Sequence, residues 1–203
     1  MWLANLAHAR HACTIGSMLR TLLCVLALSF AALSRGAEPL IDNDRVSVWD
    51  TTSPLPPAQH DFVAVLLTQK GTAVFGHRGD IPSKDGARTV VVELKDNSSA
   101  PIPNNSGYPL AFPRPHARKL LENDRVIVWN SVWRPGKPTP MHFHDKDVLV
   151  VFEANGTLQS TTPDGKSTVS EITFAKVSFN RRDRTHSETL LSGHARAVVI
   201  ELK

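Results

Sequence analysis

One decapeptide occurs twice in this chain, and that repetition constrains the fold more than any other feature. Leu40-Ile-Asp-Asn-Asp-Arg-Val-Ser-Val-Trp49 matches Leu120-Leu-Glu-Asn-Asp-Arg-Val-Ile-Val-Trp129 at an offset of 80. A second pair, Ala87 to Lys95 and Ala195 to Lys203, matches at an offset of 108. Two copies rather than many point to a duplicated domain, not to a solenoid. The copies are unequal: from opening leucine to closing lysine the first spans 56 residues and the second 84, so the first lacks 28 from its middle. Between them, Asp96 to Lys119 carries five prolines and reads as an extended linker with little structure of its own.

The runs Arg125 to Trp129, Val148 to Glu153, Thr157 to Thr161, Thr168 to Phe174, Val177 to Asn180 and Arg196 to Leu202 are short and rich in β-formers. They read as strands, with turn signals at Arg134 to Pro138, Asn155-Gly156, Pro163-Asp-Gly165 and Ser192-Gly193. Asn155-Gly156 is the strongest hairpin signal of the set. The 14 prolines all follow residue 38 and disfavour long helices, so the fold class expected is all-β, a sandwich or barrel.

Residues 1–37 differ in kind. They hold Arg10, Arg20 and Arg35, no acidic residue and both cysteines. Thr21 to Leu33 is an apolar run of 13 after Arg20 and before small residues, the layout of a secretory signal, and it is shorter than a membrane span. The expected location is periplasmic or secreted, with Met18 as an alternative start. Taking three basic residues from the chain's 23 leaves 20 against 19 acidic ones, a net charge of +1, which argues against a nucleic-acid partner. No membrane partner is expected once the signal is removed. A remainder without cysteine excludes disulfides and thiolate chemistry. The organisation expected is therefore a signal region over 1–37, a first copy over 38–95, a linker over 96–119 and a second copy over 120–203.

Within the second copy, Gly136-Lys-Pro-Thr-Pro-Met-His142-Phe-His144-Asp-Lys-Asp147 places two histidines two apart. On a strand both rings would point to one face, which suits chelation. His186 follows 42 residues later, where a neighbouring strand would bring it alongside. Asp147 has the wrong strand parity to join them unless a bulge or turn intervenes; otherwise it orients a histidine or sits on a solvated turn. Three imidazoles, with or without a carboxylate, suit one divalent iron, manganese, nickel, copper or zinc. Arg181, Arg182 and Arg184 beside His186 either attract an anionic substrate or form a solvated loop, the second being the reading favoured for a run of charge, and Trp129 reads as a packing residue because Trp49 repeats it.

These residues resemble the cupin superfamily, whose first motif runs from a glycine through His-x-His to a glutamate and whose second supplies another histidine. Gly136, His142, His144 and His186 match. Asp147 stands in place of the glutamate, one or two positions early, while Ala175 and Asp183 stand where the second motif has glycines. The resemblance implies a jelly-roll barrel, complete in the second copy and truncated in the first, with Asp147 as a candidate fourth ligand. It is similar to one group of small bacterial cupins, some associated with β-alanine catabolism. In the first copy Pro57-Ala-Gln-His60 falls where His-x-His belongs, so its site reads as lost, with His77 a remnant and one metal expected.

Three functional readings follow: a metal-dependent enzyme acting on a small oxygenated or carboxylate substrate, a periplasmic module that binds a small molecule or metal without turnover, and an assembly protein whose exposed sheet edges pair into a homodimer. Among oxygenase, isomerase, lyase and hydrolase the residues do not choose.

Overall fold

The computed structural model describes residues 38–203 apart from Gln69, residues 83–85 and Ala87, and the signal-like segment over residues 1–37 lies outside the described residues. No helix occurs among the described residues; the chain is all-β, as expected. Five strands come from the first part: β1 (Ile41–Asp42), β2 (Val46–Thr51), β3 (Phe62–Leu66), β4 (Thr72–Gly76) and β5 (Thr89–Leu94). Nine follow: β6 (Ala117–Glu122), β7 (Val126–Trp133), β8 (His142–His144), β9 (Asp147–Phe152), β10 (Gly156–Thr161), β11 (Ser167–Ile172), β12 (Val177–Asn180), β13 (Arg184–Gly193) and β14 (Ala195–Leu202).

They form three sheets, ordered β1-β2-β5-β3-β4, β6-β7-β14-β9-β12 and β11-β10-β13-β8. The first two have corresponding orders and registers: Val46 lies opposite Leu94 as Val126 lies opposite Leu202, and Trp49 opposite Val91 as Trp129 opposite Val199. Corner contacts between them are reciprocal. Arg45 donates to the carbonyl of Lys203 at 3.1 Å, and Arg125 donates to the carbonyl of Lys95 at 2.8 Å. No counterpart of the third sheet is found among the described residues of the first part, in keeping with its shorter length.

The β6-β7-β14-β9-β12 sheet is the middle layer, buried on both faces. Because side chains alternate along a strand, Val126, Val128, Leu149, Val151, Val198 and Ile200 face one way and pack on Val46, Val48, Val63, Val65, Val90 and Val92 of the first sheet. The opposite face presents Trp129, Val148, Phe152, Ala197 and Val199 to a second core, shared with Leu158, Ile172 and Leu190 of the third sheet. Between the middle and third sheets lies a cavity of about 340 Å³.

Two local signals behave differently from expectation. Asn155-Gly156 closes no hairpin: β9 pairs with β12 and β14, whereas β10 pairs with β11 and β13, so these residues carry the chain between sheets. There the Asn155 carboxamide oxygen accepts from the Phe174 amide at 2.6 Å. The hairpin turn is instead Thr162 to Lys166, where Gly165 takes φ +82°. The proline-rich connection is also not a bare linker. Its backbone runs beside β8, exchanging hydrogen bonds through Pro109, Ala111 and Phe143, and Phe112 stacks on Trp129 at 5.0 Å. Its last residues, Ala117 to Lys119, already belong to β6.

Candidate metal centre

β8 contributes His142 and His144, two apart and so on one face, and antiparallel pairing with β13 sets His186 directly opposite His142. The three rings stand edge to face with centroids 4.8 to 5.1 Å apart, and all three side chains are buried. Their ligand nitrogens lie within 4.8 Å of one another.

The tautomer of His142 is fixed from both sides. Nδ1 lies 2.7 Å from the Pro140 carbonyl, which can only accept, so Nδ1 carries the proton. Nε2 is then a lone pair, consistent with Arg114 Nη1, a pure donor, 3.2 Å away. His186 is held through Nδ1 by Ser160 Oγ at 2.8 Å, which leaves its Nε2 facing the Nε2 of His144 at 3.0 Å. Two nitrogens bound at about 2.1 Å to one ion at right angles stand about 3.0 Å apart, so this pair has the spacing of shared ligation. Nδ1 of His144 is buried with no protein partner.

Electrostatics keeps the rings neutral. Burial lowers His142, helped by the Arg114 guanidinium; burial lowers His144 well below its ordinary value, helped by Arg184; and burial, against the opposing pull of Glu188, brings His186 down to about 4. Neutral imidazole is the form that donates a lone pair to a metal. The donor set and its protonation state fit a divalent transition ion.

Asp147 is not with them. It opens β9, in the middle sheet, whereas β8 belongs to the third, so the chain has already turned away at Asp145 and Lys146. Its Oδ2 takes Arg45 Nη1 at 2.7 Å and its Oδ1 accepts from the Arg182 amide at 2.9 Å. The fourth-ligand expectation is thereby corrected: the converging group is His142, His144 and His186. Among the described residues the first part shows no such convergence, with His60 Nδ1 3.7 Å from Asp96 and the exposed His77 Nδ1 3.5 Å from Asp61. His77 follows β4, which sits where β12 sits in the other sheet, so it is not the counterpart of His186.

Two residues join the site that the sequence did not single out for it, and a third changes role. Arg114, from the proline-rich connection, pairs with Glu188 at 3.2 Å and donates to Ser131. Ser160 was unmarked. Arg184, read as solvated, lines the cavity with Arg114, Trp133 and Glu188. Burial raises the Glu188 carboxyl, but Arg114, the His186 and His142 rings and the indole of Trp133, donating at 2.9 Å, outweigh it and leave Glu188 below its ordinary value. The parity of β13 carries a signal for one of these, since Arg184 alternates with His186 and Glu188 onto one face. Nothing in the spacing marks Arg114.

The two glycine positions missing from the second motif keep the glycine conformation. Ala175 has φ +67° and Asp183 φ +64°, both in the left-handed region.

No family model matches the chain, and no curated protein matches it. Among solved structures, a cupin domain from Bordetella pertussis is 31% identical over 45% of this chain and 97% of its own, with a TM-score of 0.41. A cupin 2 conserved barrel domain protein from Leptotrichia buccalis is 10% identical over 87% of this chain and 94% of its own, with a TM-score of 0.49. An RmlC-like cupin from Methanocaldococcus jannaschii is 12% identical over 54% and 86%, with a TM-score of 0.36. The identity to the Bordetella domain, sustained across nearly all of that domain's length, places this chain in the cupin superfamily.

Proposed function

We propose that the barrel of residues 120–203 holds one divalent transition metal through His142, His144 and His186 and works as a metal-dependent enzyme on a small oxygenated molecule. The observation that carries this reading is the convergence of three buried, neutral imidazoles on one point beside a cavity of about 340 Å³. Such an ion, when bound, supplies Lewis acidity and open positions at which an oxygen of the substrate is polarised. Around it, Pro140 and Ser160 hold the ring orientations of His142 and His186. Arg114, Trp133 and Glu188 form a hydrogen-bonded group beside them, and Phe152, Leu158 and Val199 add apolar lining. In the same reading the chain is exported by its signal-like leader, and residues 38–95 are a degenerate copy that has kept one sheet as a cover for the middle layer. The matching strand orders and registers of the two sheets support that origin.

Elemental analysis of the parent beside the triple variant His142→Ala, His144→Ala, His186→Ala tests the site. One equivalent of a first-row transition metal in the parent and none in the variant is expected. No metal in either would overturn the enzyme reading in favour of a module that binds without turnover.

A further inference from the structure

Strand β13 alternates Arg184, His186 and Glu188 onto the cavity side, yet the two charges among them are treated differently. Glu188 is answered by Arg114 at 3.2 Å and by the indole of Trp133. Arg184 has no ion-pair partner: its Nε donates to the Arg181 carbonyl at 3.1 Å, among the described residues no carboxylate lies within ion-pair distance of it, and Glu188 acts on it only from farther off. Its register partner across the sheet is His144, so the guanidinium sits at the edge of the histidine cluster. Arg184 is half-buried, and its guanidinium keeps its charge under these conditions. Arg114 and Lys176 are the other cations of the lining, and Glu188, already paired with Arg114, is the carboxylate among the described lining residues.

We propose that Arg184 is the anchor for a substrate carboxylate, and that the cavity takes a small monoanionic acid whose charged end lies against Arg184 and whose body lies along Val148, Val150, Phe152 and Leu158. This names the substrate class of the site and rests on the reading of the barrel as a small-molecule pocket beside a metal. The planar fork of an arginine matches a carboxylate in two parallel hydrogen bonds, which a neutral amide cannot reproduce. Size sets the other limit. At about 340 Å³ the cavity has room for a short acid.

The test is calorimetric titration with butanoate and its isosteric amide, butanamide, at pH 7, on the loaded protein and on chelator-treated protein, with metal content measured on the same samples. The parent is expected to prefer the acid by about tenfold or more. Arg184→Gln should lose most of that preference with metal content and circular dichroism unchanged, and Arg184→Lys should keep part of it. Equal binding of acid and amide by the parent, binding of neither, or a full preference surviving in Arg184→Gln would overturn the assignment. Failure of the metal reading shows separately, as a parent without metal. An acid preference in that protein that still depends on Arg184 would leave the anchor standing.

Discussion

Removing the Asp147 carboxylate should damage the fold and spare the metal. Asp147 and Arg45 are 1% and 5% exposed and their side chains meet at 2.7 Å, joining the first sheet to the start of β9. In Asp147→Ala the Arg45 guanidinium stays buried, keeping only its bond to the Lys203 carbonyl, and the Arg182 amide loses its acceptor. Arg181, 3.6 Å away, is exposed and turns to Asp44, so it neither replaces the lost charge nor feels its absence strongly. Breaking a buried pair from one side costs about 3–5 kcal/mol, whereas replacing both partners with apolar groups of similar volume is often close to neutral. With a urea slope of about 1–3 kcal/mol per molar, the Asp147→Ala midpoint should fall by roughly 1–5 M. Arg45→Met should cost a similar amount, and the Arg45→Met, Asp147→Leu double variant much less than the two singles together. Urea titrations followed by circular dichroism give the energies, and elemental analysis of the same preparations should show metal unchanged. A loss below about 1 kcal/mol for Asp147→Ala would refute the clamp. Loss of metal with stability intact would restore Asp147 as a ligand.

Other substitutions probe separate links. Gly71→Ala should destabilise by about 3 kcal/mol in the same titration, because a Cβ there would lie 1.5 Å from Asn130 Nδ2 and the residue holds φ +64°. Ala175→Gly should stabilise by about 0.5–1 kcal/mol, since it relieves a left-handed alanine at the cost of some chain entropy; a loss would mean that the methyl group packs better than its backbone suits it. Glu153 is fully buried with Oε2 unpartnered, and burial raises its pKa. A raised folded pKa gives stability that is present below the unfolded value and lost as pH climbs through the folded one. Glu153→Gln should therefore gain about 1 kcal/mol on the parent at pH 7 and nothing at pH 4; equal curves at both would contradict this. Ser160→Ala frees the His186 ring and should weaken metal affinity by about 10-fold or more in competition with a chelator, with the fold unchanged.

The middle sheet was legible because both of its faces are buried. Strands in that position read as near-continuous apolar runs, and Val148 to Phe152 and Ala197 to Ile200 do so. β13 was not legible for the converse reason: Arg-Thr-His-Ser-Glu-Thr borders a polar cavity on one face and is only partly covered on the other, so neither face carries a hydrophobic alternation. Asn155-Gly156 misled because a turn propensity is local, while the decision to leave β9 for the third sheet is made by pairing with β13, some thirty residues on. The edge strand β6, with Arg118 and Lys119 exposed, looked like the end of a linker for the same lack of pattern.

The metal centre divides along the same line. His142 and His144 were assigned to one face by strand parity alone, and parity needs no knowledge of the partner strand. Asp147 does not join them because the turn at Asp145 and Lys146, which could have brought it to the histidines, carries it instead into β9 of the middle sheet. What then claims Asp147 is Arg45, 102 residues earlier in the chain, which enters the problem only once the first sheet lies on the back of the middle one. Arg114 depends on the same three-dimensional step: it reaches His142 and Glu188 because its connection is laid along β8. The histidine pair of β8 is thus written in a local pattern, while the groups that set its surroundings come from distant segments of the chain. The sheet that lacks a site of its own still fixes where Asp147 points, so the first part of the chain braces the start of β9 while the three histidines converge without it.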